Sequence, residues 1–233
     1  MKQGTLYAGR LKKAYTKMRQ QAPDPETPAP TEPLNQLAIA AFAVSCGEKQ
    51  AATIVDTLVS NMAGWNEVRV SRPSEINKAI GNGVLDSLAP CQRLVSMLES
   101  VYERENALSL DRLRQMGRRE ARQYLDSLGG VDEYGVASVA LWSLGGHGIP
   151  VNDGLLKELR AAGLVHPDAT RGEVQAFLER HVSAADAQSF SIVMRSYKAT
   201  KSATLKSAKK ATTKTKTPAK NKSKTTAKKK KKK

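Results

Sequence analysis

The sequence predicts an all-α protein. Apolar residues recur at helical spacing through most of residues 34–199. Two segments open with pairs that have capping-box spacing, Thr170 with Glu173 and Ser183 with Asp186. The one alternating stretch, WNEVRVS, is too short and isolated to form a sheet, so we expect a loop there. The core should therefore be made of packed helices alone.

The chain begins with a predicted amphipathic helix and a connector. In TLYAGRLKKAYTKMRQ, apolar residues lie at helical spacing with basic residues between them. Residues 23–33 then carry five prolines, which prevent a helix and favour an extended, semi-rigid segment.

A series of helices follows the connector. LNQLAIAAFAVSC is apolar on nearly every side, which is typical of a helix buried in the middle of a bundle. The other predicted helices are EKQAATIVDTLVSNM, PSEINKAI, CQRLVSMLESVYEREN, SLDRLRQM, RREARQYLDSL, EYGVASVALWSL, GLLKELRAAG and segments near 171–181 and 184–198.

Positive charge is concentrated at the two ends of the chain. The formal net charge is +16, but residues 201–233 hold fifteen lysines and no acidic residue, and the first twenty residues hold six basic residues and no acidic one. Residues 21–200 are left with 17 basic and 22 acidic residues, a net charge of −5. Attraction to a polyanion should therefore come mainly from the ends.

The lysine-rich segment 200–233 is predicted to be disordered. It has one leucine, no aromatic residue and no acid, so it cannot bury enough surface to order itself. We expect it to bind nucleic-acid phosphates; the alternative is a segment that only increases solubility. If its lysines contact duplex DNA, the affinity should fall steeply with salt.

Cysteine and histidine usage indicates no metal or other cofactor. Cys46 and Cys91 are too few for a disulfide scaffold, and both lie in apolar helical contexts typical of buried thiols. The three histidines do not share the spacing of metal ligands. With no signal peptide and no long apolar run, we expect a soluble, intracellular monomer in the cytoplasm, associated with the nucleoid rather than with a membrane.

The stretch LGGVDEYGVASVAL indicates a helix, a tight turn and a second helix. Glycine accepts positive φ and lets main-chain N–H groups approach a partner closely. A helix that starts directly after the turn points its first amides the same way, which can form an anion site for a DNA phosphate. An ordinary helical hairpin inside a bundle is the alternative. The candidate phosphate-binding residues are Leu128, Gly129, Gly130, Val131 and Asp132.

From about Leu34 to Tyr197, the chain resembles the helix-hairpin-helix DNA glycosylases of the endonuclease III family. The resemblance is carried by LNQLAIAAFAVSC, WNEVRVSRPSEINKAIG, LGGVDEYGVASVAL and GHGIPVNDGLLKEL, in this order. It implies a six-helix barrel that packs against a domain of N- and C-terminal helices. The implied segments are 1–22 (N-terminal helix), 23–33 (connector), 34–148 (barrel, with the hairpin motif at 117–144), 149–199 (C-terminal helices) and 200–233 (tail).

The resemblance also exposes departures in the catalytic residues. The lysine that forms a Schiff base in the family falls at Tyr134, so the strand-nicking lyase step should be lost. The family's catalytic aspartate falls at Asn152, whose amide lacks the charge that would stabilise a developing cation. Asp153 is adjacent and could supply a carboxylate, although either residue could simply cap the following helix.

Three further departures concern binding. The second hairpin glycine of the family falls at Asp132, whose charge should weaken phosphate binding. A glutamine that fills the gap left by an extruded base falls near Gly47. The four cysteines of the family's iron–sulfur cluster are absent, because no cysteine follows Cys91.

Basic residues before the hairpin complete the predicted DNA surface. Arg118, Arg119 and Arg122 are expected to contact phosphates, together with neighbouring arginines at 112 and 114, unless they only form a solvated helix face. His147 lies in GGHGIP beside the expected cleft. The sequence therefore predicts a duplex-binding protein of the base-excision-repair type.

Three other functions remain open at this stage, and with them the question of whether the protein is an enzyme. The first is a glycosylase that excises a damaged base with Asp153. The second is an architectural protein of the nucleoid. The third is a core that binds protein while only the tail contacts nucleic acid.

Overall fold

The computed structural model describes residues 3–21, 28–81 and 83–195, and within these ranges the chain is helical and contains no strand. This confirms the all-α prediction. The segment predicted to be disordered, 200–233, lies outside the described residues. The helices are α1 (Gly4–Gln21), α2 (Pro33–Cys46), α3 (Glu48–Asn61), α4 (Trp65–Val70), α5 (Pro73–Ile80), α6 (Ala89–Glu105), a 3-10 helix (Asp111–Gln115), α7 (Arg118–Asp126), α8 (Glu133–Trp142), α9 (Asp153–Ala161), α10 (Arg171–His181) and α11 (Ala187–Arg195).

One local prediction was wrong. WNEVRVS was expected to be a loop, but Trp65–Val70 forms α4. Its alternation misleads because Val68 is buried while Val70 is 66% exposed, so the two valines do not share a strand face. SLDRLRQM was expected to be a helix, and a short 3-10 helix, Asp111–Gln115, forms there.

Helix α2 lies at the centre of the fold. It packs against α3, α6, α8 and α9, which explains why its sequence is apolar on nearly every side. Glu32 caps its first turn by accepting hydrogen bonds from the amides of Leu34 (3.0 Å) and Asn35 (2.7 Å). Its buried polar side chain, Gln36, donates to the Ser138 hydroxyl of α8 at 2.8 Å, so a buried amide is paired with a buried hydroxyl.

The apolar side chains form two hydrophobic cores. The first core is built by α2–α8 and the segments between them. The second core combines Tyr7 and Leu11 of α1 with buried residues of α9, α10 and α11. Helix α8 belongs to both, because Tyr134 lies in the first core whereas Trp142, its last residue, lies in the second.

One face of α10 makes the polar contacts between the two cores. Arg171, Gln175 and Glu179 are spaced four residues apart and therefore lie on the same side of the helix. Gln175 donates to the carbonyl oxygen of Glu133 at 2.9 Å. Glu179 pairs with Arg122 of α7 at 3.0 Å. These contacts hold α10 against the helix pair α7 and α8.

The segment between α8 and α9 passes directly over the α8 backbone. A Cβ atom at Gly148 would lie 2.5 Å from the carbonyl oxygen of Ala137, closer than any real contact. Gly148 is thus required by close packing, because any larger residue would push this segment off α8.

We expect Gly148→Ala to lower the free energy of unfolding by about 1–3 kcal/mol, since the backbone must shift to accept the methyl group. Urea unfolding followed by circular dichroism measures the loss. Gly9→Ala is the matched control: its Cβ meets nothing within 4 Å and Gly9 lies inside α1. This control should be neutral or stabilising by about 0.5–1 kcal/mol. Equal stabilities for both variants would contradict the close packing.

Candidate nucleic-acid interface and cavity

The turn between α7 and α8 is a tight connection that packs against α6. The amide of Val131 donates to the carbonyl of Leu128 at 3.3 Å, and the Leu128 side chain is buried in the first core. Gly130 has φ +77°, and a Cβ there would lie 3.0 Å from the carbonyl oxygen of Arg93 in α6. Both the positive φ and the close approach therefore require glycine at this position.

The turn is exposed and offers main-chain amides. Gly129 and Gly130 are both exposed, while Val131 and Asp132 are half-buried. The Gly129 amide already donates to the Ser100 hydroxyl at 2.9 Å. Within the described residues, the amides of Gly130, Asp132 and Glu133 donate to no protein acceptor. One of the paired glycines, together with the start of α8, thus remains available to bind an anion.

Asp132 caps α8 and is held by an arginine from the second core. Its Oδ1 accepts the Gly135 amide at 3.0 Å, and its Oδ2 pairs with Arg171 at 2.7 Å. Arg171 also approaches Glu133 at 3.3 Å and Asp153 at 4.0 Å. The carboxylate predicted to oppose phosphate binding is therefore already paired with a positive charge. The sequence alone did not indicate this, because Arg171 lies 39 residues away.

The four predicted basic contacts divide into two groups. Arg118 and Arg119 are exposed, and neither has a polar partner among the described residues. Arg122 pairs with Glu179 and donates to the His147 carbonyl at 3.2 Å. The His147 ring contacts the Val182 carbonyl through Nε2 at 3.0 Å. Arg122 and His147 thus make contacts between the cores, whereas Arg118 and Arg119 are accessible to a ligand.

Tyr134, which was predicted to replace the family's lysine, is buried. Its hydroxyl donates to Glu48 Oε1 at 3.0 Å, and Glu48 in turn pairs with Arg195 of α11. Burial, and then the negative charge of Asp132, raise the pKa of the Tyr134 phenol well above its usual value. The phenol is therefore a neutral hydrogen-bond donor across the ordinary pH range.

Asn152 and Asp153 lie side by side in sequence but face different surroundings. Asn152 caps α9 by accepting the Leu155 amide at 2.8 Å, and it lines a cavity between the two cores. The Asp153 side chain is 64% exposed and approaches Arg171 instead. The structure therefore brings Asn152, and not Asp153, to the cavity wall.

The cavity has a volume of about 900 Å³ and lies between the start of α3, the start of α9 and α11. Glu48, Asn152 and Arg195 are among the polar residues of its wall, and apolar side chains line much of the rest. Ser191 also lies in the wall, but its hydroxyl is buried and has no hydrogen-bond partner among the described residues.

Sequence reasoning missed Glu48, Ser191 and Arg171. Each reads in sequence as an ordinary residue of a helix start or an amphipathic helix, and each gains its role only from residues distant in the chain. Gly47, near which the family's glutamine was predicted to fall, lies at the cavity wall.

No metal site or membrane span is found in the described ranges. No three His, Cys, Asp or Glu side chains there are arranged to hold an ion. No helix within them is long and apolar enough to cross a bilayer. Cys46 and Cys91 are free thiols, and burial raises the pKa of Cys91 to about 11.

No protein-family model matches the sequence, and no curated protein matches it either. Solved structures do match the fold. A trapped endonuclease III–DNA covalent intermediate is similar with a TM-score of 0.63 over 81% of this chain and 84% of that chain, at 14% identity. A non-covalent endonuclease III–DNA complex gives 0.61 with the same coverage and identity. The chain has the endonuclease III fold.

More distant glycosylases share the fold. The 8-oxoguanine glycosylase/lyase of Clostridium acetobutylicum, in complex with double-stranded DNA, matches with a TM-score of 0.54 and 12% identity, over 71% of this chain and 59% of that chain. The predicted resemblance to helix-hairpin-helix glycosylases is thus confirmed at the level of fold.

The raised pKa of Tyr134 predicts a loss of stability at alkaline pH. The unfolded chain releases this proton near pH 10 while the folded chain keeps it, so stability is constant below about pH 10 and falls above it. At about pH 11, Tyr134 should account for a loss of about 1.4 kcal/mol relative to about pH 8. Urea unfolding at both pH values measures the loss.

The Tyr134→Phe variant isolates this contribution. It lacks the titrating proton, so its stability should fall by about 1.4 kcal/mol less over the same interval. Comparing the pH dependence, and not the absolute stabilities, removes the cost of losing the hydrogen bond to Glu48. An identical alkaline loss in both proteins would contradict a buried, neutral phenol.

Proposed function

We propose that this protein binds duplex DNA as an endonuclease III-like protein of the base-excision-repair type. The contact is made by the turn at residues 128–132 together with the first amides of α8. The observation that carries the proposal is the exposed Gly130, whose amide has no acceptor among the described residues, directly before a helix N-terminus. Main-chain amides in this arrangement bind phosphate without reading the base sequence.

Two further features support DNA as the ligand. Arg118 and Arg119 are exposed at the start of α7 and available for phosphate contacts. The fifteen lysines of residues 201–233, outside the described residues, add sequence-independent attraction to a polyanion. The structures with the same fold include DNA complexes of endonuclease III and of an 8-oxoguanine glycosylase/lyase.

The proposal includes loss of the lyase step. A Schiff base needs an amine nucleophile, and Tyr134 presents a buried, neutral phenol bonded to Glu48. Asn152 is predicted to match the family's aspartate. Its Oδ1 accepts the Leu155 amide at the start of α9, and its side chain carries no charge. Binding to DNA, and not strand cleavage, is therefore the function that these residues support best.

A pair of variants at Gly129 tests the hairpin contact. Gly129 is exposed, and a Cβ there makes only ordinary contacts of 3.5 Å, so both Asn and Asp fit. The two side chains have the same shape and differ by one charge. We expect Gly129→Asp to bind a labelled duplex about tenfold more weakly than Gly129→Asn, because its carboxylate faces the bound phosphate.

Fluorescence anisotropy measures the duplex affinity of each full-length variant and so gives the ratio of the two affinities. The salt concentration is set high enough to weaken binding by the lysine segment. A melting curve for each variant confirms that the fold is kept. Equal affinities for the Asp and Asn variants would contradict DNA binding at this turn and leave the lysine segment as the source of affinity.

The second candidate function is base excision without a lyase step, and the cavity beside Asn152 favours it. A cavity of about 900 Å³ has enough room for an extruded base. Asp153 would have to leave its exposed position beside Arg171 to act there.

Release of free base from duplexes with oxidised or alkylated bases separates the two functions. We expect no release by the wild type, because the cavity lacks the family's carboxylate at Asn152. Asn152→Asp should keep the fold, since aspartate caps a helix equally well, and it returns that carboxylate to the cavity wall. Release by the wild type that is lost in Asp153→Ala would instead establish the glycosylase.

A further inference from the structure

The hairpin carries a negative charge where a phosphate would bind, and this raises a physical problem. The Asp132 carboxylate caps α8 by accepting the Gly135 amide, and the unbonded amides of Gly130 and Glu133 belong to the same short stretch of chain. A carboxylate stabilises a helix N-terminus, but it repels a second anion at the same place. Asp132 is only 24% exposed, so water screens this repulsion incompletely.

Arg171 is placed to remove that repulsion. Its Nη2 lies 2.7 Å from Asp132 Oδ2, and its Nε lies 3.3 Å from Glu133 Oε1. Its Nη1 is 4.0 Å from Asp153, beyond hydrogen-bond distance. A guanidinium has five N–H donors, so these contacts leave donors over for another anion.

The surrounding structure fixes Arg171 against the turn. Arg171 is the first residue of α10, and the Thr170–Glu173 capping box holds that end of the helix. Gln175, one turn later, donates to the Glu133 carbonyl at 2.9 Å. Arg171 is therefore held at the start of α8 from its own helix, without depending on the turn itself.

We propose that Arg171 is a DNA-contacting residue that compensates the Asp132 carboxylate in the hairpin. In the free protein it pairs with Asp132, and in the complex it shares its remaining N–H groups with the phosphate bound at the turn. This inference rests on the proposed function. It extends the DNA surface from the hairpin to α10, which belongs to the second core.

Salt-dependent binding of the full chain to a labelled duplex tests this role. Arg171→Ala should weaken binding at least about tenfold, because a charged hydrogen bond is lost and Asp132 is left uncompensated. The slope of log K against log salt should fall by ~0.9, since one phosphate contact is lost. Arg171→Lys keeps the charge and should keep the slope.

Two controls separate a DNA contact from a purely structural role. Arg180→Ala removes the same charge from the exposed far end of α10, about 13 Å away, and should change neither affinity nor slope. Asp132→Asn keeps the helix cap but removes the repulsive charge, and should bind DNA more tightly than the wild type. Melting curves report whether each variant is folded.

The inference would be overturned if Arg171→Ala and Arg171→Lys bound DNA equally weakly and Arg171→Ala left the slope of log K against log salt unchanged. That result would show that Arg171 has only a structural role. Unchanged affinity of Arg171→Ala would also overturn it. The Gly129 pair tells this failure from that of the proposed function. If Gly129→Asp weakens binding and Arg171→Ala does not, only the role of Arg171 is lost. If neither does, the hairpin itself is not the DNA site.

Discussion

The burial of α8 between two hydrophobic cores is the constraint on which the rest of the structure depends. From Tyr134 to Trp142 every side chain of this helix is buried, so its position is fixed by packing on all sides. Its N-terminus alone reaches the surface, at the turn that contains Gly130. A rigid helix with one exposed end presents its first amides in a fixed direction, which suits recognition of a phosphate better than a flexible loop would.

The same constraint explains the chemistry of the two positions that were predicted to match catalytic residues of the fold family. Because Tyr134 lies one turn inside a buried helix, its hydroxyl needs an internal partner, and Glu48 supplies it. Glu48 is paired in turn with Arg195, so the groups at this end of the cavity satisfy one another. Asn152 is likewise committed to the start of α9. Tyr134 and Asn152 thus act as structural hydrogen-bonding groups, and Asn152 lies at the wall of a cavity that remains open.

The sequence carried enough information for the fold and for the location of the hairpin. Helical periodicity and the Thr170–Glu173 capping box predicted the helices because both depend on residues close in the chain. The short helix Trp65–Val70 was missed because Val68 and Val70 alternate with polar residues in the sequence as in a strand, although only Val68 is buried. Contacts between the cores could not be predicted: Arg171 meets Asp132, and Arg122 meets Glu179, only after α10 packs on the hairpin. The sequence therefore presented Asp132 as an uncompensated charge and Arg122 as a free phosphate contact.

The central claim is that the exposed start of α8 binds a DNA phosphate, and amide chemical shifts test it most directly. In a two-dimensional ¹H–¹⁵N spectrum of the labelled protein, unlabelled duplex should move the amide signals of Gly130, Asp132 and Glu133 more than those of any other part of the described chain, because hydrogen bonding to phosphate shifts an amide proton strongly. Signals of these three residues that stay in place while the duplex is bound would contradict the account.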